Sequence, residues 1–191
     1  MAYATYTTEA LVCGTFDRNT ADRSYLLFTK DAGMLYADAR SVRTEKSKQR
    51  FALQDFSAIR VSLVKGKAGW KIGSVEAQTN HYMKATDKAA RGSVVNVYRW
   101  LRRFIKGEEA APELYEYILS ALAVVTKDVP ERLYVEDVIK LRILTELGYV
   151  DKKKVPASVL EEPSDIVEAD KSKDEVIIER LLSQAVSSSH L

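Results

Sequence analysis

Along the first 80 residues, apolar and polar positions alternate with a period of two. Residues 8–15 are mostly β-branched and apolar, the composition of a strand. Ser24-Tyr25-Leu26-Leu27-Phe28-Thr29 is a second such run, reached through a polar turn that includes residues 17–20. Asp31-Ala32-Gly33 makes the short turn of a hairpin. Residues 34–42 then place Leu35, Ala37 and Ala39 on one face and Tyr36, Asp38 and Arg40 on the other. A charged loop follows over 43–50. Residues 51–64 read as a long fourth strand, in which Ile59, Val61 and Leu63 oppose Arg60 and Ser62. A glycine-bearing turn at 65–69 leads to a last strand over 70–78. Five short strands with hairpin-type turns predict a small β-barrel over residues 1–80.

After Asn80 the period lengthens to that of a helix. Val94, Val97, Tyr98, Leu101 and Ile105 share one face of a helix spanning 86–106, and Gly107 is its expected C-cap. Lys88, Arg99, Arg103 and Lys106 fall on the far side, flanked by Arg91 and Arg102. Pro112 opens a second helix, which runs to about Thr126, and Pro130 opens a third, which Gly148 stops. In the third, Leu133, Val138, Leu141 and Leu144, with Val135 and Ile139, form a wide apolar face. Residues 151–171 are polar and contain Pro156 and Pro163, so they read as a loop. A helical pattern returns over 175–186 with Val176, Ile177, Leu181 and Leu182, before a frayed tail. The expected fold class is therefore α+β: an N-terminal five-stranded OB-type barrel, then a helical domain over 81–191.

Charge sharpens this division. Residues 1–107 carry 19 Lys and Arg against 9 Asp and Glu, a net of +10. Residues 108–191 carry 10 against 18, a net of −8, which together give the +2 of the whole chain. A basic half joined to an acidic half points to one part that faces a polyanion and one with another task.

The residues that catalysis and metal binding need are sparse. The only histidines are His81, at the barrel–helix junction, and His190, in the tail. Neither lies near a nucleophile motif, so His81 reads as a structural junction residue. No phosphate-cradling GxxxxGK[ST] or GxGxxG motif is present. Cys13 is the single cysteine; it ends an apolar run and reads as a small buried hydrophobe, and no CxxC pair exists to hold zinc. No enzyme activity, cofactor or metal is expected. No apolar run reaches the roughly 18 residues a membrane span needs, and no signal peptide is visible, so the expected compartment is the cytosol.

The basic elements carry the positive signal. Arg40, Arg43, Lys46, Lys48 and Arg50 place five cations and one anion, Glu45, in eleven residues between two barrel strands. Lys65, Lys67 and Lys71 decorate the other long hairpin, and Arg99 and Arg103 add a helical stripe. Aromatics lie on the flanking strands: Tyr36, Phe51, Phe56 and Trp70. Cationic grooves with base-stacking rings are how OB barrels hold single strands. Tyr36, on the polar face of its strand, is the stacking candidate, whereas Phe28 and Phe56 are expected in the core. Two other classes fit the same pattern: an RNA-binding OB protein, and a non-catalytic protein-interaction scaffold.

The order of these residues resembles the RecO family of bacterial recombination mediators. Ala10-Leu11-Val12 leads to Ala21-Asp22-Arg23-Ser24, then Leu27-Phe28-Thr29 and Gly33. Next come Ala39-Arg40, Arg43, Lys46-Ser47, Leu53-Gln54, Phe56 and Gly66. The helical part adds Pro112-Glu113-Leu114-Tyr115, Leu141-Arg142-Ile143-Leu144 and Leu147-Gly148-Tyr149. The chain departs from the family at Asp38, where glycine is frequent, and at Asp55, where proline is. It also lacks the four-cysteine zinc site that many members carry after the Leu-Gly-Tyr segment. The resemblance implies a protein that binds single- and double-stranded DNA, anneals complementary strands, and works with RecR and single-strand-binding protein to load recombinase.

Overall fold

The computed structural model describes residues 5–167 and 174–188, so His190 lies outside the described residues. The chain forms two compact units that interleave in sequence. The first holds residues up to Lys84 together with Lys106–Pro112; the second holds Ala85–Ile105 and the chain from Glu113 onward.

The first unit is a closed five-stranded barrel of OB type. Its strands are β1 (Thr5–Asp17), β2 (Arg23–Thr29), β3 (Gly33–Ala39), β4 (Ser57–Gly66) and β5 (Gly69–Asn80), joined in the order β1-β2-β3-β5-β4 with β4 returning to β1. All pairings are antiparallel except β3 with β5, which is parallel and spans two residue pairs, Ala37 with Trp70 and Asp38 with Lys71. The two-residue alternation in the sequence becomes the inside and outside of the barrel. Ala10, Val12, Tyr25, Leu27, Leu35, Ala37, Ala39, Ile59, Val61 and Leu63 fill the interior, with Val42 and Leu53 from the connection. Trp70, Ile72 and Val75 of β5 pack against this core while staying partly exposed.

Two departures from the sequence pattern shape the surface. Residues 51–64 do not form one strand: α1 (Gln49–Ala52) occupies the start, and β4 begins only at Ser57. The join passes through Phe56, whose φ is +70°. Phe56 is half-buried and stacks on Tyr82 with ring centroids 5.4 Å apart, so it is not a barrel-core residue, whereas Phe28 is fully buried. In β1, a bulge at Cys13 shifts the register between Val12 and Gly14. One extra residue reverses the inside–outside phase of everything beyond it. Thr15 consequently pairs with the interior Tyr25, and Phe16 pairs with the outward Ser24.

The short helix α2 (His81–Lys84) follows β5 directly. The segment Lys106–Pro112 belongs to the barrel unit and approaches it closely at Gly33. There the Met34 amide donates to the Gly107 carbonyl at 2.9 Å. A Cβ on Gly33 would come within 2.4 Å of the Glu109 carbonyl oxygen, and Gly33 itself has a φ of +63°. Only glycine fits this combination of left-handed backbone and contact.

The second unit is helical: α3 (Lys88–Phe104), α4 (Pro112–Val125), α5 (Arg132–Glu146), α6 (Pro163–Ile166) and α7 (Glu175–Ser188). Asp87 caps α3 by accepting from the Ala90 amide at 2.8 Å. At the other end α3 stops at Phe104 with Ile105 extended, so Gly107 lies beyond its C-cap. Helix α5 is buried on most sides through Val135, Val138, Ile139, Leu141, Ile143 and Leu144, but Leu133, expected on its apolar face, is 77% exposed. In α7 the buried residues are Ile178, Leu181 and Ala185, while the expected Val176 and Ile177 are exposed. The stretch read as a loop over 151–171 contains two single 3-10 turns, Lys152–Lys154 and Ala157–Leu160, and then α6. It is anchored by the buried Val159, Pro163 and Ile166; residues 168–171 lie outside the described residues.

A polar network fastens α3 to α5. Glu136 is 4% exposed, and its carboxylate accepts from the Ser93 hydroxyl at 2.6 Å and the Asn96 amide at 3.0 Å. Arg132 donates to the Val125 and Lys127 carbonyls and to Ser93. The Trp100 indole donates to the Lys140 carbonyl at 3.1 Å. A buried carboxylate is tolerable only when hydrogen-bonded in this way. No helix among the described residues is long and apolar enough to cross a membrane.

Candidate nucleic-acid interface

The structure divides the sequence-predicted cations into held and free groups. Arg43 is held. Its guanidinium donates to the Asn19 carbonyl at 2.7 Å and lies 3.5 Å from Asp17, while its amide donates to the Ala21 carbonyl. Arg23 also binds Asp17, at 2.8 Å, and this hydrogen bond above all holds the Asp17 carboxyl below its ordinary range. Arg43 thus clasps the basic connection to the β1–β2 turn. Asp22 completes the clasp by accepting from Asn19 and from the Ser41 amide at 2.7 Å, which keeps its carboxyl below the usual range.

Lys65 is held as well. Its ammonium sits 2.9 Å from Glu108 and 4.8 Å from the centre of the Trp70 ring, and it lowers the Glu108 carboxyl. By contrast, Arg40, Lys46, Lys48 and Lys67 are exposed and make no ion pair among the described residues. Arg50 is half-buried; its guanidinium lies 4.7 Å from the centre of the Phe51 ring, and its buried Nε has no hydrogen-bond partner among the described residues. The connection that carries these cations is a succession of turns, with Thr44 and Ser47 amides bonded to the Ser41 and Thr44 carbonyls. Gln49 ties α1 to β5 by donating to the Gly73 carbonyl at 2.7 Å.

Aromatic rings share this unit. Tyr36 is 59% exposed on the outer face of β3, and its ring centroid lies 5.8 Å from that of Phe16, itself 39% exposed. Phe51 is 63% exposed on α1. Phe16 was not foreseen from the sequence, because the bulge that turns it outward carries no sequence mark other than Gly14. The same face carries anions: Arg18 pairs with Asp38, and Asp17 and Asp55 lie nearby in a cavity with Phe16. Among the predicted residues, Arg99 and Arg103 belong to the second unit. Arg99 is exposed, and the Arg103 guanidinium lies 5.2 Å from the centre of the Phe104 ring.

His81 is 4% exposed, with its Nδ1 3.3 Å from the Phe56 carbonyl oxygen. Burial pushes its pKa down to about 4, with Lys84 adding to the effect and the hydrogen bond to Phe56 opposing it. Among the described residues no group of three or more His, Cys, Asp and Glu side chains could hold a metal ion.

No protein-family model matches the chain, and no curated protein sequence matches it. The exposed rings and unpaired cations of the barrel therefore carry the functional argument.

Proposed function

We propose that the barrel binds single-stranded nucleic acid and that the chain serves, without catalysing a reaction, as a RecO-like mediator of DNA repair and recombination in the cytoplasm. The observation that carries this reading is one barrel unit presenting both exposed rings (Phe16, Tyr36, Phe51) and cations that make no ion pair among the described residues (Arg40, Lys46, Lys48, Arg50, Lys67). Rings give a strand's bases a stacking surface, and unpaired cations take its phosphates without first breaking an ion pair. Arg43 supports the site by holding the connection in place. Annealing of complementary strands, duplex binding and cooperation with RecR-like and single-strand-binding proteins follow from the family resemblance.

Five free cations set a magnitude. If each neutralises one phosphate, the slope of log affinity against log salt is about −3.5, roughly a hundredfold loss between 50 and 200 mM salt. The test is fluorescence anisotropy of a labelled single-stranded DNA at two salt concentrations, with a matched RNA alongside. A steep response that flattens when Arg40, Lys46, Lys48 and Arg50 become Ala supports the reading. A flat response in the wild type refutes it and favours a protein scaffold. Tighter binding of the RNA would redirect the function to RNA, because the 2′-hydroxyl is what distinguishes the two.

A further inference from the structure

A cavity of about 860 Å³ opens on the barrel unit, lined by Thr15, Phe16, Arg23, Arg50, Phe51 and Asp55 among others. Its volume falls within the range of small-ligand sites. Three of its features retain binding capacity, although the Arg50 guanidinium lies 4.7 Å from the centre of the Phe51 ring and the Phe16 ring 5.8 Å from that of Tyr36. The Arg50 guanidinium makes no ion pair among the described residues. Phe51 and Phe16 leave much of their ring surface open. Asp55 is exposed, and the Thr15 hydroxyl donates to its Oδ1 at 2.6 Å, while Oδ2 accepts no hydrogen bond among the described residues.

Each of these features complements a different part of one nucleotide. The guanidinium suits a phosphate, the rings suit the face of a base, and the carboxylate suits base N–H groups. An acidic peptide or a lipid headgroup would satisfy Arg50 but would leave the rings and the Asp55 carboxylate without a complement. Among bases, guanine presents two adjacent donors, its N1–H and its 2-amino group, to a carboxylate. Adenine and cytosine present one donor beside an acceptor, and thymine presents one donor between two carbonyls. Asp55 retains lone pairs on both oxygens for such a pair of donors.

We infer that this cavity receives a single unstacked guanine of a bound strand, read by Asp55, stacked on Phe51 or Phe16, with a neighbouring phosphate on Arg50. The inference rests on the single-strand reading of the barrel and adds a base preference to it. Bidentate base recognition discriminates by roughly tenfold or more.

The experiment compares two labelled oligonucleotides of about 15 nucleotides, one all thymidine and one with a single central guanosine, against the full chain. Wild type binding the guanine oligomer roughly tenfold more tightly supports the inference. Asp55→Asn should abolish that preference, read as the ratio of the two affinities, since an amide presents one acceptor where the carboxylate presents two, while its oxygen can still accept from Thr15. Phe51→Ala should weaken the guanine oligomer by roughly tenfold, and Phe51→Trp should restore it. Equal wild-type affinity for the two oligomers overturns the guanine pocket but not the strand-binding site, and this comparison needs no variant to fold. A preference that survives in Asp55→Asn also overturns the pocket. Binding of neither oligomer overturns both the strand-binding reading and the pocket.

Discussion

His81 makes the stability of the barrel depend on pH in a calculable way. The ring is 4% exposed and is held neutral by burial, with a pKa of about 4 against an ordinary 6.5. Above pH 6.5 neither the folded nor the unfolded chain protonates it, and folding carries no penalty. Between 6.5 and 4 the unfolded chain takes up the proton and the folded chain does not, so stability falls as pH falls. At about 1.4 kcal/mol per pH unit, the gap amounts to about 3 kcal/mol by pH 4. The carboxyls of Asp17, Asp22 and Glu108, all held below their ordinary range, add a loss of the same sign at lower pH. The effect of His81 is therefore best isolated by a difference. Urea unfolding would be followed by tryptophan fluorescence in a Trp100→Phe background, which leaves Trp70 in β5 as the only tryptophan and so reports on the barrel. The measurement would run from pH 7.5 to 4 with His81 intact and with His81→Gln. The two stability curves should converge as pH falls, because only the histidine chain loses the stability associated with this site. Curves that stay parallel across that range would refute the argument and mean that the ring is protonated in the folded barrel as readily as in the unfolded chain.

Other consequences can be measured separately. Gly33→Ala should destabilise the barrel by about 3 kcal/mol, combining left-handed strain with a clash against the Glu109 backbone, read from the same urea midpoint. Glu136→Ala leaves Ser93 and Asn96 short of a buried acceptor and should lower the stability of the helical unit by about 3 kcal/mol, seen as an earlier loss of helical circular dichroism. Changing Lys46 and Lys48 to Ala should reduce the magnitude of the salt slope of strand binding by about 1.4. Arg43→Ala should leave that slope unchanged and lower barrel stability by about 1 kcal/mol, because its charge is already committed to Asp17 and Asn19.

The barrel was legible in the sequence wherever the pleat imposed its period. Leu35, Ala37 and Ala39 on β3 and Ile59, Val61 and Leu63 on β4 are interior residues as their alternation predicts. Legibility failed where a local event breaks the period. The Cys13 bulge turns Phe16 outward, and a turn of helix at Gln49–Ala52 followed by positive φ at Phe56 delays β4 until Ser57. Leu133 is apolar yet exposed, because α5 begins only after Glu131 in a left-handed conformation and its buried face is centred on Val135, Val138 and Ile139. The candidate site was legible as a cluster of cations but not as a division of labour. Arg43 and Lys46 look alike in sequence; what separates them is Asp17, 26 residues upstream of Arg43, and only folding brings the two together.

The interleaving of the two units has a consequence for how the molecule is made. The barrel's contact at Gly33 and the acidic partner of Lys65 both come from Lys106–Pro112, which a ribosome delivers only after the whole of α3. A nascent chain that has just emerged past β5 therefore holds all five strands but not their final fastening. The usual order, in which an N-terminal domain is finished before the next begins, does not apply here. The same holds for any attempt to cut the chain at the end of β5: the excised piece would lack the segment that requires glycine at position 33, and Lys65 would gain a freedom it lacks in the intact protein.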